Sequence, residues 1–362
     1  MGYDPAPSAG RREQVMELRE CGRSGPKLSL LGLGCWAFGG GDYWGRQDQA
    51  DVDAVVRRAF EGGVNYFDTA EVYNDGRSES SLGRALGGLP RDRVVIGTKV
   101  SPAHVQPDTL PRRCEASLRR LGTDYVDLYL VHWPVTLPAI HHFAPGATAC
   151  PAADDAFAAL LRLQEQGKAR HVGVSNHSLA RLDEALRYCP SIVANELPYN
   201  LLSRAIEWEA LSGSVARGVG VIGYMALLQG VLTDAHPTLA DVRPWQRRTR
   251  HFDAEETPGA RHGLHGEEQA TQDALGLLRA LCREQGQTLS ELALAWTTAN
   301  PGLACSLVGS RSVAQLEANL RAVERPLAAG VLARLDEITR PLKERLGPSF
   351  DYYESPENDR TR

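Results

Sequence analysis

The chain has 362 residues, 43% hydrophobic and 23% charged, with a formal net charge of −5. That balance leaves no cationic footprint for nucleic acid or an anionic membrane, and basic pairs such as Arg11-Arg12 and Arg247-Arg248 are isolated. Seven scattered cysteines, with no CxxC and no Cys/His cluster, support neither a disulfide framework nor a structural zinc site.

Residues 1–15 are rich in Pro, Ala, Ser and Gly and are expected to form a disordered tail. They lack the apolar core of a signal peptide, and no run reaches the length of a membrane span, so a cytoplasmic protein is expected. Two short runs flanking Gly22-Arg23-Ser24-Gly25 predict a β-hairpin. Apolar runs then recur at 31–36, 64–68, 94–99, 125–132, 170–175, 192–196, 220–224 and 304–308. Helical periodicity lies between them, at 49–61, 79–86, 110–121, 154–166, 179–188, 205–216 and 290–298. Continuous apolar strands, each followed by a helix, imply a buried parallel sheet, and eight such units fit a closed (β/α)8 TIM barrel. The stretch Gly32-Leu33-Gly34-Cys35-Trp36-Ala37 lacks the third glycine of a dinucleotide fingerprint and opens no helix, which argues against a Rossmann site.

Two segments exceed a minimal barrel. Residues 227–266 read as a long loop, either a cover over the active site or a disordered insert, and 326–346 reads as an extra C-terminal helix. The expected organisation is a tail (1–15), a barrel (16–350) and a C-terminal tail (351–362). His141-His142 sits in a Pro/Gly/Ala stretch and reads as exposed loop.

Reactive residues of a barrel sit at the C-terminal ends of its strands. Those ends carry Asp68, Lys99 and His132, with Tyr73 five residues beyond Asp68. Any one of them has an ordinary structural role, but an ionisable group ending an apolar strand is costly unless partnered. An Asp–Lys pair neutralises itself, and an ammonium beside a phenol is expected to lower its pKa from about 10, making Tyr73 a proton donor near neutral pH. His132 can then direct a substrate carbonyl.

These residues stand in Phe67-Asp68-Thr69-Ala70-Glu71-Val72-Tyr73, Gly97-Thr98-Lys99 and Leu128-Tyr129-Leu130-Val131-His132-Trp133-Pro134. With Gly173-Val174-Ser175-Asn176, Pro198-Tyr199-Asn200-Leu201-Leu202-Ser203-Arg204 and Val308-Gly309-Ser310-Arg311, the sequence resembles the aldo-keto reductase family over residues 16 to 350. Within it, the likeness is to bacterial sugar-type reductases and relatives of potassium-channel β-subunits.

The resemblance implies catalysis by Asp68, Tyr73, Lys99 and His132, NADPH/NADP+ as cofactor, and a small carbonyl substrate, sugar-like on the subfamily likeness. It places Ser175, Asn176 and Glu196 at the nicotinamide carboxamide and Tyr224 on the ring. Gly34, Trp36, Asp68 and Leu227 would line the cofactor groove. Gly309, Ser310 and Arg311 would hold the adenosine-side phosphate, with Gln315 and Asn319 at the adenine. Ser175 and Asn176 equally suit a helix N-cap, Tyr224 a barrel-rim aromatic, and Arg311 a solvated loop. Trp36, Tyr73, His132 and Trp133, with Tyr43, Trp44 and Phe143, would form the substrate pocket. A regulatory NADP(H)-binding subunit, or a dehydrogenase or epimerase using the same site, would carry the same residues, and the oligomeric state is open.

The chain departs from the family twice. Glu196 stands where the family has Gln; ionised, it would stabilise the cationic oxidised nicotinamide by about 1–4 kcal/mol at about 4 Å. After Tyr224, Met225-Ala226-Leu227 and Thr233-Asp234-Ala235 replace Ser-Pro-Leu and Thr-Gly-Lys, leaving the lost lysine's task open to Arg243, Arg247 or Arg248.

Overall fold

The computed structural model describes residues 16–257 and 259–362, so the predicted 1–15 tail lies outside the described residues. The hairpin forms from β1 (Leu18–Glu20) and β2 (Lys27–Ser29). It plugs the N-terminal end of the barrel: Arg23 N–H donates to the Gly218 carbonyl (2.8 Å), and Arg19 donates to the carbonyls of Thr298, Asn300 and Leu303. Gly22 has φ 73°, and a Cβ there would stand 2.4 Å from the Val193 carbonyl oxygen, so only glycine fits the turn.

Eight parallel strands close the barrel: β3 (Leu31–Gly34), β4 (Tyr66–Asp68), β5 (Val95–Val100), β6 (Val126–Val131), β7 (Ala169–Ser175), β8 (Ile192–Pro198), β9 (Gly220–Tyr224) and β10 (Leu303–Val308), which pairs back to β3. Each corresponds to one predicted run. Tyr66, Leu128, Leu130, Ile222 and Leu307 pack in one buried interior cluster, and the opposite strand faces pack on the surrounding helices.

Three departures from the sequence reading bear on the site. An 18-residue helix, Glu268–Gln285, follows the long loop and packs against the C-terminal helix Ala329–Leu346. The segment 227–266 is built from three short 3-10 turns and has its own apolar anchors, with Val231, Leu232, Leu239, Val242 and Phe252 buried. Residues 351–362, read as a tail, are docked: Tyr352 and Thr361 are 1% exposed, and Arg360 pairs with Asp351 through two 2.7 Å bonds.

Beneath the site, buried acids fix the strand that carries Lys99. Glu79 is fully buried and bonds Thr98 Oγ1 and Arg120, both at 2.6 Å, while Glu71 accepts from Ser101 N–H (2.9 Å) and Arg113 (2.6 Å). Removing one partner of a buried pair leaves the other charge uncompensated, which costs about 3 kcal/mol or more. Glu79→Ala is therefore expected to lower the stability read from urea unfolding by about that amount, with Glu79→Gln losing less because it keeps the Thr98 bond. Equal midpoints for Glu79→Ala and wild type would refute this anchoring role.

Candidate active site

The site grows from the C-terminal ends of β4, β5 and β8. Lys99 is fully buried and its Nζ lies 2.5 Å from Asp68 Oδ2, 3.3 Å from Glu196 Oε1 and 3.1 Å from the Thr69 carbonyl. Tyr66 donates to the other Asp68 oxygen at 3.3 Å. One ammonium thus faces two carboxyls, and a buried cluster with a net charge is unfavourable. Burial first, then the neighbouring Asp68, pushes the Glu196 carboxyl up to about 8. Burial raises the Asp68 carboxyl too, but Asp68 is the closer partner of Lys99, which favours Glu196 as the holder of the proton near neutral pH; among the described residues Oε2 of Glu196 has no bonding partner. The sequence left the ionisation of Glu196 as a condition; burial and the neighbouring Asp68 favour the neutral acid at pH 7.

Tyr73 follows β4 on a loop held by Asn74, whose amide donates to the Trp36 and Phe38 carbonyls, both at 2.8 Å. Asn74 and Asp75 adopt left-handed backbone (φ 51° and 57°), which sharpens the turn that returns Tyr73 over Lys99. Lys99 Nζ stands 5.2 Å from the Tyr73 ring centre. The expected lowering of the phenol pKa is corrected. Burial dominates and raises it above the ordinary value; Lys99 pulls it down, while Asp68 and Glu196 push it up. Tyr73 therefore keeps its proton throughout the physiological range. His132 meets Tyr73 edge-on at 5.6 Å, and burial together with Lys99 holds its pKa well below 6.5, so it is a neutral imidazole.

These groups open onto one cavity of about 800 Å³, lined by the catalytic, cofactor and substrate residues predicted from sequence except Tyr43 and Lys99, the latter fully buried. At one side, Tyr224 donates to Asn176 Oδ1 (2.8 Å), and Asn176 Nδ2 donates to the His132 carbonyl and to Ser175 Oγ, both at 3.0 Å. Asn176 has φ 61°, so this amide is posed by a left-handed turn and does not serve as a helix cap. Ser175, Asn176 and the unpartnered Glu196 Oε2 form a cluster suited to an amide ligand. At the far side, Ser310 and Asn319 are bonded at 3.1 Å beside the N-terminus of the helix Val313–Val323. The Arg311 guanidinium reaches Trp44 O (2.8 Å), Arg46 O (2.6 Å) and Gln47 Oε1 (2.8 Å), tying two rim loops together.

Trp36, Trp44, Trp133 and Phe143 line the cavity, and Tyr43 stacks behind Trp36 at 4.9 Å. The sequence reading missed Tyr353, Arg360, Arg261 and His142, which line it too. His142 lies on the helix Leu137–Phe143, where an exposed loop was expected. Of the three arginines considered for the lost lysine, only Arg248 reaches the cavity; Arg247 bonds the Val242 carbonyl (2.7 Å) and Arg243 lies over Trp245 (5.5 Å). A signal for the docked C-terminus was present: Asp351-Tyr352-Tyr353-Glu354 is too aromatic for a solvated tail.

A parallel eight-stranded barrel with a buried Lys–Asp pair beneath a half-buried Tyr at its C-terminal mouth defines a site of one recognisable class. The sequence profile of the Aldo/keto reductase family matches residues 30–340, and the chain belongs to that family. It is 30% identical to the NADH-specific methylglyoxal reductase of Escherichia coli (strain K12), over 87% of this chain and 96% of that protein. It is 29% identical to the aldo-keto reductase YhdN of Bacillus subtilis (strain 168), over 84% of this chain and 87% of that one. Among solved structures, an aldo-keto reductase from Klebsiella pneumoniae in complex with NADPH is similar, with a TM-score of 0.67 and 27% identity over 95% of this chain and 99% of that one.

The raised Glu196 carboxyl has a measurable consequence. The folded protein keeps this proton to about 8, whereas the unfolded chain releases it near 4.5, so stability present below 4.5 is lost as pH rises through 8. Glu196→Gln removes that loss. Its urea midpoint, measured against pH, is expected to fall less than the wild-type midpoint between those limits, and superimposable profiles would overturn the assignment.

Proposed function

We propose that the protein is an NADPH-dependent carbonyl reductase, with Tyr73 as proton donor. The observation that carries this reading is the Asp68–Lys99 pair, buried beneath a protonated Tyr73 and facing a neutral His132 across one cavity. When bound, the nicotinamide cofactor supplies a hydride to the carbonyl carbon. Tyr73 transfers its proton to the carbonyl oxygen, and the Lys99 ammonium stabilises the phenolate left behind. His132, neutral and edge-on to Tyr73, donates a hydrogen bond to the same oxygen and sets its direction. Solvent reaching the cavity returns the proton to Tyr73.

The residues present suit the cofactor. Ser175, Asn176 and protonated Glu196 offer donors and acceptors to a carboxamide, and Tyr224 supplies an aromatic face. Ser310 and Arg311, at the start of an 11-residue helix, offer an anion site for the 2′-phosphate that separates NADPH from NADH. Of the relatives named above, one is NADH-specific and one is solved in complex with NADPH.

With aldehydes and ketones, Tyr73→Phe is expected to reduce kcat by about 10²–10⁴-fold while NADPH still quenches tryptophan fluorescence with near wild-type affinity. NADPH bound by the wild-type protein and never oxidised across such a panel would refute the reductase reading.

A further inference from the structure

The substrate end of the cavity carries a second group of residues outside the Tyr73 machinery. Arg248, from the long loop, and Arg360, from the docked C-terminus, both line it. Arg360 is 3% exposed; its Nε and Nη2 clamp Asp351, and the group lies 4.0 Å above the Trp133 ring. Its remaining nitrogen, Nη1, is buried with no bonding partner among the described residues. Arg248 lies 4.6 Å from the Tyr43 ring and 5.6 Å from that of Tyr353, its Nε is buried and unbonded, and among the described residues no carboxylate is within ion-pair distance. A third cation, Arg261, is neutralised by Glu354 at 2.6 Å and donates to His142 Nδ1 at 2.7 Å. With Nδ1 accepting, the ring proton of His142 is on Nε2, a further donor at the same mouth.

The charge balance at this mouth is uneven. Asp351 serves Arg360, and Glu354 serves Arg261 and, at 3.7 Å, Arg360 as well, leaving Arg248 uncompensated, with its own Nε and Arg360 Nη1 unsatisfied among the described residues. Such groups are rarely left unpaired without a ligand, and a planar guanidinium edge matches a carboxylate. We propose that Arg248 and Arg360 form a carboxylate subsite, and that the substrates are oxo acids: aldehydes or ketones bearing a carboxylate remote from the reacting carbonyl.

The position fits one small molecule spanning both ends. Tyr73 and Trp36 are 5.9 Å apart, Trp36 stacks on Tyr43 at 4.9 Å, and Arg248 follows at 4.6 Å, so an aromatic wall runs from the proton donor to the cation. Across the mouth, Trp133 adjoins His132 in sequence and carries Arg360. The family's bound-cofactor residues Ser310, Gln315 and Asn319 lie on the loop and helix after β10, and neither arginine bonds to them.

The inference rests on the carbonyl-reductase reading, and its test separates the two. 4-Carboxybenzaldehyde and its methyl ester present the same aldehyde with and without the charge. The wild-type protein is expected to favour the acid by about tenfold or more in kcat/KM, mainly through KM, and Arg248→Gln and Arg360→Gln to reduce that ratio by about tenfold each. Arg248→Lys should restore part of the preference. Arg248→Gln strands no carboxylate, so it remains decisive if Arg360→Gln, which abandons Asp351, fails to fold. Ester reduced as well as acid by the wild-type protein overturns the subsite and spares the reductase reading. Variants that weaken NADPH binding in a fluorescence titration as much as they raise the acid's KM overturn it too, because the arginines would then serve the cofactor's phosphates. Neither aldehyde reduced refutes the reductase reading, and the subsite with it.

Discussion

Lys99 is held without contact with bulk water, its ammonium 2.5 Å from Asp68 and 3.3 Å from Glu196, at the point where β4, β5 and β8 end. A buried ammonium is tolerable only where acceptors surround it, and a parallel barrel supplies them by converging strand ends on one axis. Everything else in the site is arranged around this cation. It opposes the desolvation that raises the Tyr73 phenol, it helps keep His132 neutral, and it offers one charge to two adjacent carboxyls, of which Glu196 retains its proton because of burial and the neighbouring Asp68. Glu71 and Glu79, two further buried acids, secure β5 through Ser101, just past its end, and Thr98, next to Lys99.

The loops at this end are built differently from the rest of the chain. All six non-glycine residues with positive φ among the described residues occur there: Asn74 and Asp75 after β4, Asn176 after β7, and Met225, Leu228 and Gln229 after β9. For Met225 and Leu228 the left-handed conformation costs about 1–2 kcal/mol each. What the strained segment gains is reach: Gln229 accepts from Tyr43 (2.5 Å) and donates to Tyr353 (3.0 Å), joining the loop after β3, the loop after β9 and the C-terminus over the cavity. The long loop is thus a fitted cover, one of the two alternatives its composition left open.

How much of this the sequence discloses depends on the range of the interactions involved. Asp68, Lys99 and His132 stand out because each ends an apolar run, so local polarity alone marks them. The strands were legible for the same reason. The helix Glu268–Gln285 was not, because Leu277, 56% exposed, and Gly276 blur the stripe formed by Ala274, Leu275, Leu278 and Leu281. The docking of residues 351–362 depends on partners far away in the chain: Arg250 N–H on the Tyr352 carbonyl, Ala205 N–H on the Tyr352 hydroxyl, Arg360 over Trp133. No local pattern encodes those contacts. The protonation of Glu196 was hidden as well, because its identity showed a carboxylate while its state is set by how near Asp68 stands to the same lysine.

That state bears on the direction in which the site works. A protonated Glu196 leaves the floor of the cavity neutral, with Lys99 and Asp68 cancelling, and so gives no electrostatic preference to a cationic nicotinamide. Above about 8 the same residue becomes an anion, and the floor gains a negative charge that favours the oxidised ring and disfavours its reduced form. On the proposed reading, glutamate in place of glutamine makes the cofactor equilibrium respond to pH, which an amide cannot do. The mouth has the opposite sign, since among the described residues no carboxylate lies within ion-pair distance of Arg248. A substrate anion held at the mouth and a neutral acid at the floor are therefore compatible at neutral pH. Once Glu196 ionises, its charge repels that anion but also favours the oxidised nicotinamide that hydride donation leaves behind, so on the proposed reading its ionisation weakens binding of an anionic substrate while strengthening the bound cofactor as a hydride donor.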